Sequence, residues 1–246
     1  MQSSLEQFIE HAKEHTVIPV WKELVADLIT PVSAFERIVG DQPGFLLESV
    51  EHGERWSRWS FIGRNPLLTI KKIDSQLLIE GEIPIEYDVK GQILELVRTL
   101  QRNLSAPQIE NFPPMYSGLL GYLGYDTVRE IEDLPLPAND DLGVPDAILS
   151  VIGEVAAFDH WSQRVYLIAN AIVKPQSSES EITESYYETK HRLDSLMLDG
   201  AKPLSEPLLD PPNLDTSSVE VKSTMSENEY CGIVEKAKEH ILAGDI

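Results

Sequence analysis

The spacing of apolar residues predicts a helix, a strand and a second helix in the first 40 positions. "SSLEQFIEHAKEH" carries apolar residues three and four positions apart behind a capping box formed by Ser4 and Gln7. The β-rich run "VIPVWKELVAD" predicts a strand. "TPVSAFERIVG" then places Thr30 at the N-cap, Pro31 at the first helical position and Gly40 just past the end, which is typical of a helix.

Three later segments also have helical periodicity. "DVKGQILELVRTLQRNL" has one apolar stripe, made of Val89, Ile93, Leu96, Val97, Leu100 and Leu104. "SESEITESYYETKHRLDSLML" predicts a polar amphipathic helix. "SENEYCGIVEKAKEHILAGDI" has a capping box at Ser226 and Glu229 and a C-cap glycine at Gly244, so a well-defined helix is expected there.

Short β-rich runs fill the rest of the chain. Between residues 44 and 81 they are separated by turn signals at His52-Gly53, Asn65-Pro66 and Asp74-Ser75, which predicts an antiparallel meander. "DAILSVIGEVAAFD" and "QRVYLIANAIV" are separated only by "HWS", which predicts a hairpin of two strands inside a sheet. Because strands and helices do not alternate regularly, the predicted fold class is α+β, with mainly antiparallel β-sheet layers packed with helices.

Proline content indicates where the organisation changes. "GAKPLSEPLLDPPNLDTSS" has four prolines among turn-forming residues, which is typical of a linker. The predicted domains are therefore 1–200, an α+β domain, 201–225, a proline-rich linker, and 226–246, the first helix of a further domain.

Composition excludes several functional classes. The 246 residues contain 20 Lys and Arg against 41 Asp and Glu, a net charge of −21 that repels nucleic acid and anionic lipid. We therefore expect no nucleic-acid and no membrane partner. With no signal peptide and no apolar stretch of membrane-spanning length, a cytoplasmic location is expected. The single cysteine, Cys231, cannot form an internal disulfide and is expected to be an ordinary thiol.

The other chemically suggestive residues favour structural roles. His11 and His15 have the spacing of a zinc-binding helix, but a third ligand and the H-E-x-x-H glutamate are missing. His52 and His160 have no nucleophile motif nearby, so both are expected in surface turns. The glycines of "GLLGYLGYD" match no phosphate-binding loop and are expected to allow close backbone approach.

Alternating aromatic and basic residues also occur in one strand region. Trp56 and Trp59 with Arg55 and Arg58 could form a stacking surface for bases. The acidic charge of the chain argues against bases as ligands, and a packed sheet face surrounded by arginine stems is the expectation.

Glu48 and Ser49 place an acid and a hydroxyl together at the end of the apolar run "GFLLES". Strand alternation puts Leu46, Glu48 and Val50 on one face and Ser49 on the other, so the two cannot form a catalytic dyad. A ligand at the strand end could still contact one side chain and the neighbouring backbone. The alternative is a strand that simply leaves the core with a solvated carboxylate.

Four blocks of this sequence, in this order and spacing, resemble a known family. They are "TPVSAFERIVG", "GFLLESVEHGERWSRWSFIG", "SGLLGYLGYDTVREIEDLP" and "SENEYCGIVEKAKEHILAGDI". Together they are similar to the N-terminal part of the anthranilate synthase large subunit, component I. The resemblance implies an enzyme that converts chorismate to anthranilate and pyruvate, the first committed step of tryptophan biosynthesis.

The resemblance also implies ligands and partners. The family's large subunit uses Mg²⁺, receives ammonia from a glutamine amidotransferase small subunit and is inhibited by L-tryptophan. Its inhibitor site is built partly on the "LLES" strand, so Leu47, Glu48 and Ser49 are the expected tryptophan-binding residues of this chain. A zwitterion with a large aromatic side chain requires a few fixed polar groups beside an apolar slot, which is consistent with this assignment.

The catalytic part of the family pattern is missing. Its chorismate and Mg²⁺ residues lie in a C-terminal domain that would continue beyond Ile246, so no catalytic residue and no metal ligand is placed in this chain. The expectation is a tryptophan-sensing part that is inactive alone and contacts chorismate only with the missing domain.

Two alternatives remain open. One is the large subunit of aminodeoxychorismate synthase, which shares the architecture and leads to 4-aminobenzoate. Trp59, where the anthranilate synthase family often has tyrosine, leaves that choice unsettled. The other is a non-enzymatic amino-acid-binding or subunit-docking module, in which the apolar face of residues 230–241 would pack against another partner.

Overall fold

The computed structural model describes residues 2–48, 58–73, 76–81, 91–135, 143–204 and 222–246. Five α-helices occur in these ranges: α1 Leu5–Ala12, α2 Pro31–Ile38, α3 Ile93–Asn103, α4 Glu179–Gly200 and α5 Glu227–Ala243. A 3-10 helix covers Tyr125–Glu130. The strands described are β1 Val17–Val25, β2 Gly44–Glu48, β3 Trp59–Arg64, β4 Leu68–Ile73, β5 Gln76–Gly81, β6 Leu119–Leu123, β7 Ala147–Val151, β8 Glu154–Asp159 and β9 Arg164–Ile172.

Local sequence signals define most of the helix ends. Capping boxes begin α1 at Ser4, α2 at Thr30, α4 at Ser178 and α5 at Ser226, and each satisfies backbone N–H groups that lack a partner in the first turn. Gly244 ends α5 in the left-handed conformation, with φ of 80°. The predicted caps of α1, α2 and α5 are therefore confirmed, whereas Val89, predicted for α3, lies outside the described residues.

Every strand pair in the described part of the chain is antiparallel, and these strands form two sheets. The five-stranded sheet has the order β1-β9-β8-β3-β2, and the four-stranded sheet has the order β5-β4-β7-β6. The predicted hairpin is confirmed, because β8 and β9 pair from Glu154 opposite Ala169 to Asp159 opposite Arg164. Both strands of this hairpin lie inside the five-stranded sheet.

The predicted continuous meander over residues 44–81 is wrong. β2 pairs with β3 and β4 with β5, but β3 and β4 belong to different sheets. The change occurs at Asn65-Pro66, where Asn65 has a φ of 45° and proline offers no backbone N–H to continue the ladder.

A second chain segment changes sheet at the same place. The run "DAILSVIGEVAAFD" divides at Ile152 and Gly153 into β7 and β8, one in each sheet. A Cβ on Gly153 would lie 1.8 Å from the Asn65 carbonyl oxygen, so only glycine permits this crossing.

Helices cover one face of each sheet. Apolar residues of α1, α2 and α4, among them Phe8, Ile38 and Leu196, form one core with the five-stranded sheet. α3 covers the four-stranded sheet through Ile93, Leu96 and Leu100, all of which are fully buried. These layers confirm the predicted α+β class with mainly antiparallel sheets.

The chain divides into two compact units, Met1–Leu204 and Ser205–Ile246. α5 belongs to the second unit, and its apolar residues Tyr230, Ile233 and Ile241 are exposed there. The domain limits expected from the sequence stay a prediction. No helix in the described ranges is both long enough and apolar enough to cross a bilayer.

Candidate functional site

The residues predicted to bind tryptophan lie at the end of β2. Within the described ranges this strand pairs only with β3, at the edge of the five-stranded sheet, with Glu48 opposite Ser60 and Leu47 opposite Phe61. Leu47 is 43% exposed, and Glu48 is also exposed. Ser49 lies outside the described residues, so of the three predicted residues the structure brings Leu47 and Glu48 together.

Packing around β2 agrees with the predicted alternation of its side chains. Leu46 packs into the core beneath the helices, whereas Phe45 packs into a third core on the opposite face of the sheet. Residues directly opposite in an antiparallel pair point to the same side, so Leu47 shares the face of Phe61 and Glu48 shares the face of Ser60. The end of β2 therefore offers an apolar side and a polar side.

On the apolar side, Leu47 lies next to a cluster of aromatic rings. The rings of Trp59 and Phe61 stack with centroids 6.2 Å apart, and Tyr166 lies 6.2 Å from Trp59. Phe112 continues the cluster 5.7 Å from Tyr166. Burial, aided by the charges of Glu23 and Asp159, raises the pKa of Tyr166, so this phenol stays neutral at physiological pH.

On the polar side, Ser60 lies opposite Glu48 in the strand pair and contacts a residue distant in sequence. Ser60 is 1% exposed, and its Oγ lies 2.8 Å from Nε2 of His160, in the turn between β8 and β9. The backbone N–H of His160 donates to the Arg58 carbonyl at 2.9 Å. Glu48, Ser60 and His160 thus form a polar row across the ends of three neighbouring strands.

The turn that carries His160 is fixed by a charged cluster. Arg58 donates to both carboxylate oxygens of Asp159 at 2.9 and 2.7 Å, and its guanidinium lies 4.9 and 5.0 Å from the ring centres of Trp59 and Trp161. Burial alone would raise the pKa of Asp159, but hydrogen bonds from Arg58, Ser162 and the Trp161 backbone outweigh it and lower that pKa.

A cavity of about 560 Å³ opens between the two sheets at the other end of β2. Its walls are mostly apolar, with two polar pairs: Thr69 and Ser150 hydroxyls 2.9 Å apart, and Lys71 and Glu80 2.6 Å apart. The apolar lining residues include Phe45, Leu120, Tyr122, Ile148 and Ile152. Neither Leu47 nor Glu48 lines this cavity, so it is separate from the predicted site.

Buried ion pairs stabilise the wall of the cavity nearest α4. Arg64 contacts Glu154 at 2.9 Å and Asp199 at 2.6 Å, and Glu154 is 2% exposed. Burial would lower the pKa of Arg64, but hydrogen bonds to Glu154 and Asp199 raise it. Because every one of these charges is paired, loss of one partner would leave an uncompensated buried charge, and the cluster has no group free for a ligand.

The remaining sequence candidates occupy ordinary structural positions. His11 lies in the last turn of α1 and His15 lies three residues beyond the end of that helix, with their ring centroids 6.4 Å apart. Burial, followed by the neighbouring His15, lowers the pKa of His11. His160 lies in a surface turn as predicted, and Cys231 is an exposed free thiol. His52, Arg55 and Trp56 lie outside the described residues.

Gly121 confirms the expected role of the glycine series. A Cβ there would lie 1.9 Å from the Ile148 carbonyl oxygen of the neighbouring strand. Sequence reasoning missed the contact of Ser60 with His160. The alternation of β3 indicates the face of Ser60, but no local signal brings together residues 100 positions apart.

Comparisons with known proteins agree with this architecture. The sequence profile of the family described as "chorismate binding enzyme" matches residues 45–246. Anthranilate synthase component 1 of Acetivibrio thermocellus is 32% identical over 96% of this chain and 47% of its own length. The Arthrobacter globiformis protein of the same name is 35% identical over 98% of this chain and 46% of its own length.

A solved structure has the same fold. The crystal structure of anthranilate synthase component I from Streptococcus pneumoniae aligns with a TM-score of 0.54 and 23% identity, over 90% of this chain and 46% of that chain. The chain therefore spans about half the length of the relatives it matches. With the family profile covering most of its residues, the chain belongs to the family of chorismate binding enzymes.

Proposed function

We propose that this chain is the tryptophan-sensing part of an anthranilate synthase component I. The whole enzyme would convert chorismate, with glutamine or ammonia, to anthranilate and pyruvate. The proposal is supported by the similarity of almost the entire chain to proteins named anthranilate synthase component 1. Since the chain covers about half of their length, this activity is assigned to the complete enzyme and not to the chain alone.

The observation that carries the sensing role is the end of β2. Glu48 is the last residue of β2 and exposes its carboxylate on one face of the strand, whereas Leu47 lies beside Phe61 on the other face. A carboxylate only accepts hydrogen bonds when ionised, so its natural partner in an amino acid is the ammonium group. An indole would pack on the apolar side, and Ser49 would supply a hydroxyl or backbone group, as the resemblance implies.

Catalysis is assigned to residues outside this chain. Among the described residues, no group of three or more His, Cys, Asp or Glu side chains could hold a metal ion. As the resemblance implies, the proposal assigns the Mg²⁺ ligands and the chorismate-binding residues to the other part of the complete enzyme. Purified alone, the chain is expected to release no anthranilate from chorismate, ammonia and Mg²⁺, and to bind tryptophan weakly or not at all.

The proposed partner is a glutamine amidotransferase small subunit. The relatives are named as component 1, which implies a further component in their complexes. In the proposal, that subunit supplies ammonia from glutamine to the complete enzyme, and L-tryptophan acts as its feedback inhibitor.

The test is Glu48→Gln in an enzyme that joins this chain to the other half of its relatives' length. Loss of the charge should raise the inhibition constant for L-tryptophan about 10- to 100-fold, the range of a lost charge-assisted hydrogen bond. The same variant should reduce turnover of chorismate much less. Inhibition constants and kcat are measured together, and the product is identified as anthranilate.

Glu36→Gln is the matched control, because Glu36 is an exposed glutamate on α2. It should leave the inhibition constant unchanged. Equal losses of inhibition and turnover in Glu48→Gln would instead place Glu48 in the active site, and an unchanged inhibition constant would contradict the sensing role.

A further inference from the structure

In the polar row of Glu48, Ser60 and His160, the middle side chain is buried, whereas the residues on both sides of it are exposed. Ser60 lies on the helix-facing side of β3, directly opposite Glu48, and is 1% exposed. A buried hydroxyl needs a hydrogen-bond partner, and the partner here is His160, whose own turn lies at the surface. The Ser60 hydroxyl therefore lies between two exposed residues: His160, which it contacts, and Glu48, which lies opposite it on β2.

The chemistry of a hydroxyl permits contact in both directions. Serine has one donor hydrogen and two acceptor lone pairs. When Nε2 of His160 carries a hydrogen, it donates to Ser60 Oγ over the observed 2.8 Å, and the Ser60 hydrogen is then free to donate to a carboxylate. The carboxylate across the β2–β3 pair is that of Glu48, because side chains directly opposite share a face and lie about 5 Å apart at Cβ.

The imidazole at the start of this row is held in place by its turn. The backbone N–H of His160 donates to the Arg58 carbonyl, and the preceding Asp159 is bound by Arg58, Ser162 and the Trp161 backbone. These contacts fix the backbone on both sides of the ring. A fixed donor restricts the rotamers of the group it contacts, so binding loses less conformational entropy.

We propose that Ser60 and His160 are positioning residues that orient the Glu48 carboxylate toward the ammonium group of a bound amino acid. They would thereby set the preference of the site for ligands that carry an ammonium over ligands of the same shape without one. This inference rests on the proposed function, because it assumes that Glu48 contacts the ligand.

The experiment compares two ligands of the complete enzyme by calorimetric titration. L-tryptophan carries the ammonium, and indole-3-propionate has the indole and carboxylate without it. In Ser60→Ala and His160→Ala, affinity for L-tryptophan should fall about tenfold, the effect of one lost hydrogen bond to a charged group. Affinity for indole-3-propionate should change less than about twofold, because that ligand does not need Glu48.

Two further variants separate positioning from a purely structural role. His160→Gln retains an amide N–H that can reach Ser60, so it should restore most of the preference lost in His160→Ala. Ser195→Ala is the matched control, because Ser195 lies on α4 and donates to the His191 carbonyl of its own helix, outside both the row and the turn that carries His160. It should leave the ratio of the two affinities unchanged.

The outcomes distinguish this inference from the proposed function. If Glu48→Gln lowers L-tryptophan affinity but Ser60→Ala and His160→Ala do not, the positioning role is wrong and the sensing role stands. Equal losses of affinity for both ligands in Ser60→Ala and His160→Ala would also overturn the positioning role, because a structural defect would weaken binding whether or not the ligand carries an ammonium group. If Glu48→Gln has no effect on either ligand, both proposals fail together.

Discussion

At the scale of single residues, backbone contact dictates side-chain identity most strongly at Gly121. Its φ is 155°, and the Ile148 carbonyl oxygen occupies the space of a Cβ. Gly118, three residues earlier, has a φ of 124° but no atom within 4 Å of a Cβ position. The two glycines therefore separate the cost of a steric contact from the cost of an unusual backbone conformation.

Gly121→Ala should destabilise the protein by about 1–3 kcal/mol more than Gly118→Ala, the range found for overpacking. The physical reason is that β6 must move away from β7 to accommodate the methyl group. Urea unfolding of both variants at one pH measures the difference. Equal destabilisation would mean that backbone conformation alone, and not close approach of the strands, explains the glycine.

At the scale of elements, α3 begins with a cap from elsewhere in the chain. Gln92 precedes the helix without a side-chain cap, and Glu130, at the end of the 3-10 helix, accepts from the backbone N–H groups of Ile93 and Leu94 at 2.9 Å each. Lys72 on β4 donates to the same carboxylate at 2.6 Å. Glu130 therefore joins a helix, a strand and a connection.

Burial would raise the pKa of Glu130, but Lys72 and the two backbone N–H groups outweigh burial and lower that pKa below the ordinary glutamate value of 4.5. A lowered folded-state pKa means that Glu130 stabilises the fold above the unfolded-state pKa. This contribution disappears as the pH falls through the folded-state pKa.

Glu130→Gln should therefore cost about 1.5–3 kcal/mol of unfolding free energy near pH 7, the range for hydrogen bonds to a charged group. The difference from the unchanged protein should shrink as the pH falls below about 4.5. Urea titrations between pH 3.5 and pH 7 measure it. Glu95→Gln, at a half-exposed position in the first turn of α3, is the control and should show a much smaller difference.

Sequence reasoning succeeded for elements with local signals and failed where a strand's partner is distant. The capping box of α5 and the hairpin of β8 and β9 were predicted because their determinants lie within a few residues of one another. The division of strands between two sheets at Asn65 and Gly153 was not predicted, because each of these segments alone resembles one continuous β region. The glutamate that caps α3 was likewise hidden by its separation in sequence.

The candidate site shows the same limit. Strand alternation predicted that successive side chains of β2 lie on opposite faces, and the packing of Leu46 and Phe45 into different cores confirms this alternation. The binding roles of Leu47, Glu48 and Ser49 stay a prediction that came from family resemblance. Pairing across 100 residues, as between Ser60 and His160, requires the topology of the sheet before it can be recognised.

At the scale of the whole molecule, the excess of acidic residues acts on folding itself. A net charge of −21 on 246 residues favours expanded states through self-repulsion. Dissolved salt screens that repulsion, with a screening length of about 10 Å at 0.1 M ionic strength.

The midpoint of thermal unfolding should therefore rise between 10 mM and 300 mM sodium chloride, by a few degrees, since about 1 kcal/mol shifts a chain of this size by about 2–4 °C. Calorimetry at fixed pH measures this shift. A midpoint that falls with salt would show that attractive pairs such as Arg64 with Glu154 dominate over the net repulsion.

The order in which the strands pair has a consequence for synthesis of the chain. Among the strands that the structure describes, β1 comes first in the sequence and its partner β9 comes last, with Val17 opposite Ile172. Long-range pairing of this kind slows folding, because a large loop must close before any contact compensates for its entropy. On the ribosome, β1 must therefore wait without its partner until β9 emerges, so the five-stranded sheet is completed only near the end of translation of this region.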